Sequence, residues 1–485
     1  MATAMGVQIV DDLRTWLKKI GELGRLKTVE GADPHLELGI LAEVNCKRRG
    51  PTLVFDKIKG HDNGYRIVTG AILDAQRLGF TLGLENVRTD QDLVSQLGGK
   101  VIEWERKAGE FPAKEISEGP LLENRAFGND VNLLKFPVPK WHEDDGGRYL
   151  GTGCIVITKD PDTGVVNLGT YRIMVHDEKT LALHISSAHH GALNIKKYHA
   201  RGEAAPVAVS FGHHPLFLVL GGMSIPYSMS EYGFVGAIAG QSVSVVPGEI
   251  TGLPLPAESE FTIEGFCPPD EMRDEGPYGE YTGYYASGMG KEPVIHVKAL
   301  YHRNDPIILG AMPARPPHDY SYFMSAMKSA NVKDSLMKDG ITDVKGVWYH
   351  EVSGINFFTV VSIKQRYPGH ARQAGFMASQ CRAGGTSMGR YVVVVDDDID
   401  PSDLDQVVWA ISTRSNPEKD IDIIRNTYTG PLDPIYPKAA KISFGSRAVI
   451  DACRPFDWIK DFPKVVQSSD EEREKVLKKW KGLFD

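Results

Sequence analysis

Two carboxylates in one short segment, Glu275-Gly-Pro-Tyr-Gly-Glu280-Tyr-Thr-Gly283, are the first side chains here with the means to do chemistry. Gly and Pro between them predict a loop, which can aim both carboxyls into one cleft. Paired carboxylates in unequal surroundings acquire different pKa values, leaving one able to carry a proton at neutral pH. The same spacing also suits a solvated turn. A second set is more dispersed: Asn167, Arg172, His189, His190 and Glu231. Asn, His and Glu offer oxygen and imidazole ligands for a hard or borderline divalent ion such as Mn²⁺ or Mg²⁺. Each also has a plainer role. Asn167 can terminate a strand, His190 can be a satisfied core histidine, and Glu231 can sit in the first helical turn after Ser230. On one regular strand Asn167 and Arg172 face opposite ways, so a bulge is expected if both serve one site. The acidic run Asp396-Asp-Asp-Ile-Asp400 follows an apolar strand and precedes a helix, where strand-end and N-cap roles account for it.

The elements that must position these residues follow from periodicity. Leu13, Trp16, Leu17, Ile20 and Leu23 recur at helical spacing, predicting a helix over 11–24. Thr89 to Ala108 reads as one helix with Thr89 or Asp90 as its cap. A Pro-rich passage over 110–140 reads as a linker laid over a surface. From about Tyr149 to Leu309 the texture is short strands and Gly, Pro and Asp turns, the pattern of a barrel or sandwich. Cys154–Thr158 turns at Asp160-Pro-Asp-Thr-Gly164 into a hairpin partner over 167–175. After about Met312 helices and strands alternate, with helices at 320–338, 370–382 and 404–414 and strands at 357–364, 391–395 and 421–424. A last helix, capped by Asp470, carries Val476, Leu477, Trp480, Leu483 and Phe484 on one stripe and needs a surface in its own subunit or a partner's. Four segments are expected: 1–110, α/β; 111–310, a split barrel with the Pro-rich stretch at its start; 311–460, α/β and oligomerising; and 461–485, the amphipathic helix.

Composition narrows the function classes. Hydrophobic residues make up 42% and charged residues 24% of the 485, enough for a sizeable core. No apolar run reaches membrane-spanning length, and Met1–Val10 lacks the pattern of a secretory signal, so a cytoplasmic protein is expected. A net charge of −8 makes nucleic acid an unsuitable partner. The cysteines, Cys46, Cys154, Cys267, Cys381 and Cys453, are scattered and never form C-x-x-C, which argues against disulfides and thiolate zinc. Gly384-Gly-Thr-Ser-Met-Gly389 precedes a strand instead of following one, which is the wrong order for a dinucleotide fingerprint.

Longer motifs carry a resemblance. Asn167-Leu-Gly-Thr-Tyr-Arg172-Ile-Met-Val is similar to the segment of the UbiD family that binds prenylated FMN. The likeness continues in family order over about 13–451. It runs through Pro137-Val-Pro with His142, Asp145-Gly-Gly-Arg-Tyr149, His190, Met223-Ser-Ile-Pro226, Ser230-Glu231-Tyr, Leu253-Pro-Leu-Pro256 and Glu275-Gly-Pro-Tyr-Gly-Glu280. Further on come Ile363-Lys364 with Tyr367, Gly369-His-Ala371 and Trp409-Ala-Ile-Ser-Thr-Arg414.

The resemblance implies an α/β and α+β multidomain fold with a central split β-barrel that binds flavin. It implies a reversible, non-oxidative aromatic decarboxylase in which Arg172, Glu275 and Glu280 form a Glu-Arg-Glu network and Glu280 donates the proton. Asn167, His190 and Glu231 would hold Mn²⁺ (or Mg²⁺ or Fe²⁺) against the cofactor phosphate, with His189 beside them. Backbone around Gly222 and Met223 would contact the phosphate region and K⁺, and Lys364 the phosphate. Gly221-Gly222 stand where some relatives carry serines, so no hydroxyl contact is implied there. His318 and Tyr322, in the family's variable pocket segment, would face a phenolic, hydroxybenzoate-like acid; a heteroaromatic acid or an aryl thioester stays open. A UbiX-type flavin prenyltransferase would supply the cofactor, CO₂ would be the co-product, and a homodimer or larger homo-oligomer is implied. Two rivals remain at this level: an FMN oxidoreductase on a related barrel, and a non-catalytic flavin-binding assembly subunit. The intact Arg172, Glu275 and Glu280 count against the second.

Overall fold

A computed structural model describes residues 12–381, 389–430, 432–436 and 444–483; most of Gly384–Gly389 lies outside them. The first apolar stripe folds as the helix Leu13–Glu22, with Leu13, Trp16, Leu17 and Ile20 buried and the Asp12 carboxylate accepting from the Thr15 N–H at 2.8 Å. The helix expected over 89–108 is two, Asp90–Leu97 and Lys100–Lys107. Gly98-Gly99 separates them, and Gly99 takes φ +70°, which ends one helix and starts the next. Thr89 does cap the first, in a reciprocal box with Asp92.

Leu26–Glu30, Thr52–Asp56, Arg66–Thr69 and Ile307–Leu309 form a four-stranded sheet. Its fourth strand returns from far along the chain to lie parallel to Arg66–Thr69 and ties the N-terminal sheet to the end of the middle region.

The middle region is a ten-stranded sheet. Its path begins with Arg148–Gly151, Arg172–Val175, Thr180–His184 and Gly290–His302, and continues with Phe261–Cys267, Ala205–Gly212, Ile155–Lys159 and Val166–Gly169. The expected hairpin is present, with Thr158 opposite Asn167. Val166–Gly169 closes one end of the path, yet two residues later Arg172–Val175 lies next to the other end. So short a link requires the sheet to curl until its ends approach, giving a split barrel. The bulge expected between Asn167 and Arg172 is therefore not needed: the two residues lie on different strands. The Pro-rich passage is more than a linker, since Asn124–Phe127 pairs with Gly290–His302.

Val344–Tyr349, Phe358–Ile363, Tyr391–Asp396, Phe444–Ala452 and Ile421–Tyr428 form a third sheet, in that order. Its central strand buries both faces. Val392 and Val394 pack with Ala371, Ala374 and Ala378 of the helix His370–Gln380, while Val393 and Val395 pack with Val407 and Ala410 of Leu404–Arg414. Asp396 and Asp398, after this strand, pair with Arg414 and Arg454, the structural role expected of that acidic run. The last helix runs Asp470–Lys479, with Ser469 as its N-cap in place of the expected Asp470. Val476, Leu477, Trp480 and Leu483 are exposed on it. All five cysteines are free. Among the described residues no helix is long and apolar enough to cross a membrane.

Candidate active site

Arg172 opens its strand at the mouth of the curled sheet, and Glu275 closes the strand Met272–Glu275. The chain then turns at Gly276, whose φ of +83° and whose approach to the Gly288 carbonyl (an added Cβ would lie 2.4 Å away) admit only glycine. That turn brings Glu280 back to the same guanidinium. Arg172 donates through Nε and Nη2 to the two oxygens of Glu275 at 2.8 and 2.7 Å, and through Nη1 to Glu280 Oε1 at 2.9 Å. Tyr149 OH donates to Glu275 Oε1 at 2.9 Å, the Ser287 hydroxyl donates to Glu280, and the Tyr278 ring lies 5.4 Å from the guanidinium. Glu275 is 1% exposed, so its charge depends on these partners. Burial alone would lower the pKa of Arg172, but the bonds and charge of Glu275 hold it above the ordinary arginine value. The cluster walls a cavity of about 230 Å³ that Thr170, His184, Tyr281 and Tyr320 also line. That volume lies just below the usual range of small-molecule sites.

A second cluster adjoins it. Glu231 begins the helix Glu231–Ala239, so it does occupy the first turn after Ser230, and yet it points into the protein. Its carboxylate accepts from Asn167 Nδ2 at 2.9 Å and from the Leu168 N–H at 2.7 Å. Burial pushes this carboxyl up to about 7, against the downward pull of those two donors. Tyr171 OH donates to Asn167 Oδ1 at 3.3 Å and accepts from the Gly191 N–H, which connects the pair to the start of the helix His190–Ala200. Burial lowers the pKa of His189 and His190, leaving neutral imidazoles with lone pairs for a metal. No cation compensates Glu231 among the described residues. The Ser230 and Thr170 hydroxyls are buried without a partner. A buried carboxylate, an amide oxygen and orphaned hydroxyls are donors of the kind a divalent cation and a phosphate require, while the His190 ring stands against Tyr227, 5.0 Å between centroids, with no bond to Asn167 or Glu231 among the described residues.

Profiles of the 3-octaprenyl-4-hydroxybenzoate carboxy-lyase family, UbiD, match in all three parts. Residues 15–97 match the N-terminal domain, 114–316 the Rift-related domain and 321–452 the C-terminal domain. The phenolic acid decarboxylase of Streptomyces sp. (strain D7) is 30% identical over 92% of each chain. The chain belongs to the UbiD family. It is thus an enzyme of the carboxy-lyase class. Among solved structures, the UbiD-class enzyme HmfF from Pelotomaculum thermopropionicum in complex with FMN superposes with a TM-score of 0.84 at 25% identity, covering 96% of this chain and 100% of its own. An evolved dimeric form of that enzyme in complex with prFMN gives 0.80. The open form of the Sedimentibacter hydroxybenzoicus vanillic acid decarboxylase (ShVdcCD), with truncated ShVdcD, gives 0.82 at 29% identity, covering 97% and 98%.

Not every residue expected at this UbiD site is brought to it. Tyr322 is a correction: its OH donates to Asp90 at 2.5 Å, away from the cavity. Tyr320 and Tyr322 sit two apart on the helix Asp319–Lys338 and so face opposite ways; Tyr320 is the one at the cavity. His318 does line the cavity, but it is buried and is no solvated loop residue. Its Nδ1 accepts from the Ser321 N–H, capping that helix, and its Nε2 lies 3.4 Å from the Tyr281 carbonyl. Burial lowers it to about 4, so it is neutral. Lys364 follows the strand Phe358–Ile363, is exposed, and is not joined to Asn167 or Glu231 by any bond among the described residues. Gly222 ends the helix Pro215–Gly221, and the preceding carbonyl, of Gly221, accepts from the Thr170 N–H at 2.9 Å. A Cβ at Gly221 would lie 2.8 Å from Thr170 Oγ1, so a side chain there would require Thr170 to shift. The Met223 N–H bonds the Leu220 carbonyl. Sequence reasoning missed Tyr281, Tyr320 and the Tyr149 bond to Glu275. Tyr149 and Tyr281 lie inside motifs already singled out, which was the available signal.

Proposed function

We propose that this chain is a prenylated-FMN-dependent, reversible, non-oxidative decarboxylase of a phenolic, hydroxybenzoate-like acid. The observation that carries the reading is one guanidinium divided between two carboxylates at the wall of a cavity. Losing CO₂ from an aromatic carbon leaves electron density that side chains cannot delocalise, and the flavin, when bound, supplies that electron sink. The protein's share is positioning and proton handling. Arg172, pinned by Glu275, orients the substrate carboxylate. Glu280 gives its proton to the carbon that has lost CO₂ and regains one from solvent. Tyr320 offers a hydroxyl, and Tyr281, whose hydroxyl is engaged with Asn356, offers a ring face to a phenol. The names of the phenolic acid and vanillic acid decarboxylases favour this substrate class.

Asn167, His190 and Glu231 are assigned to a divalent cation, Mn²⁺ with Mg²⁺ or Fe²⁺ as alternatives, between Glu231 and the cofactor phosphate. The Ser230 hydroxyl is assigned to the phosphate itself, the backbone around Gly222 and Met223 to its neighbourhood and K⁺, and Lys364 to the phosphate. The cofactor would come from a UbiX-type prenyltransferase. The exposed stripe on the last helix is assigned to a homo-oligomer contact. The test is production with and without a flavin prenyltransferase, followed by a screen of 4-hydroxybenzoate, vanillate and 3,4-dihydroxybenzoate for CO₂ release and for deuterium uptake in D₂O. Turnover of at least one acid only in the prenyltransferase preparation is expected. Full activity with plain FMN, or NAD(P)H consumption without CO₂ release, overturns the reading.

A further inference from the structure

Glu275 has a second basic neighbour behind it. His184 stands directly opposite Arg172 in the register of the pair Arg172–Val175 and Thr180–His184, so both side chains leave the same face of the sheet. Its Nδ1 lies 2.7 Å from Glu292 Oε1 and 3.7 Å from Glu275 Oε2. A carboxylate only accepts, so Nδ1 carries a hydrogen directed at Glu292. The rest of the ring lines the cavity with Arg172 and Glu280.

Three carboxylates, Glu275, Glu280 and Glu292, thus converge on one guanidinium and one imidazole. The other charged groups nearby are engaged elsewhere. Arg273, opposite Glu292 across the paired strands, turns to Asp177 and Glu271, and Lys291 pairs with Asp274. Tyr149 and Tyr278 are held neutral by burial, and burial together with its neighbouring imidazoles lowers His189. Among the described residues His184 is therefore the one further basic side chain within reach of both Glu275 and Glu292.

We infer that His184, oriented by Glu292, is a positioning residue that decides which carboxyl of the Arg172 cluster carries the transferable proton. Glu275 takes two guanidinium bonds and the Tyr149 hydroxyl, with the imidazole Nδ1 3.7 Å behind it. Glu280 has one Arg172 N–H and the Ser287 hydroxyl, and is left to take up and release the proton. The inference rests on the proposed role of Glu280.

Infrared difference spectroscopy of the full-length protein, in the carboxylic-acid C=O region, tests it without needing a substrate. In the parent background, Glu280→Gln should remove an acid band. In the His184→Gln or Glu292→Gln background, the band removed by Glu280→Gln should shrink at least about twofold, because Glu275 or Glu292 now holds part of the proton. Glu292→Asp should restore it. On an acid found by the screen above, kcat should fall about tenfold in His184→Gln with KM nearly unchanged. Should His184→Gln not fold, Glu292→Gln carries the same comparison. A Glu280 band of parental size in both backgrounds overturns the inference and leaves the decarboxylase reading standing. No acid band from Glu280 even in the parent overturns the inference together with the proton-donor role of Glu280 on which it rests.

Discussion

The two clusters that share this site handle buried charge in opposite ways. At Glu275 the protein itself provides compensation: a bidentate guanidinium, a tyrosine hydroxyl and a histidine. At Glu231 it provides one side-chain amide and one backbone N–H, neither of them charged, for a carboxyl that is 3% exposed. Burying an ion costs several kcal/mol unless a partner offsets it. The first cluster is compensated as folded; the second leaves its carboxyl without a charged partner among the described residues. A proton or a divalent cation can fill that role: the proton only removes the repulsion of an anionic phosphate, whereas the cation attracts it.

The comparison breaks most visibly at Arg172. Arg172→Ala should abolish decarboxylation and leave Glu275 buried without its guanidinium, at a stability cost of about 3–5 kcal/mol. Chemical denaturation read together with turnover checks both; a cost below about 1 kcal/mol would mean that Glu275 does not depend on the guanidinium. Glu280→Gln comes next. The amide keeps the Arg172 and Ser287 contacts but cannot carry the proton, so kcat should drop by about 10² or more with flavin content unchanged. Turnover within a few-fold of the parent would make Glu280 a turn residue. Glu231→Ala should lower bound manganese or magnesium and retained flavin together, since cation and phosphate bind cooperatively. Parental metal and flavin in both Glu231→Ala and His190→Ala would remove the cation from the site.

Legibility from sequence followed how local the cause was. Helix Leu13–Glu22 and the valine strand Tyr391–Asp396 were readable because burial is written into their own periodicity. The break at Gly98-Gly99 was readable in principle, since two adjacent glycines interrupt a helix, but the flanking apolar pattern outweighed them. The pairing of Arg172 with Glu275 and Glu280 entered through family resemblance, and the spacing of the carboxylates alone favoured a solvated turn. What stayed hidden depends on long-range register. His184 reaches Glu292 because separate strands of the curled sheet align them, and Ile307–Leu309 joins a sheet whose other strands end before residue 70. Tyr322 was misplaced for a different reason: a motif identifies a segment, whereas helical phase decides which of its tyrosines meets the cavity.

The smallest expected effect isolates the second cluster from catalysis. Glu231 titrates at about 7 in the folded chain against 4.5 for an ordinary glutamate, so the native state binds this proton more tightly than the unfolded state does. The stability it contributes is present below about pH 4.5 and is lost as pH rises through about 7, by about 3 kcal/mol in all. Glu231→Gln has no such proton. In metal-free, flavin-free protein the variant should therefore gain on the parent between pH 5 and pH 7.5 in urea unfolding, and the other titrating groups cancel in the difference. Adding Mn²⁺ should stabilise the parent and leave the variant nearly unmoved, because the cation replaces the proton as the compensating charge. A pH-independent difference between the two proteins would mean that Glu231 is already compensated within the chain, and the contrast between the two clusters would fail.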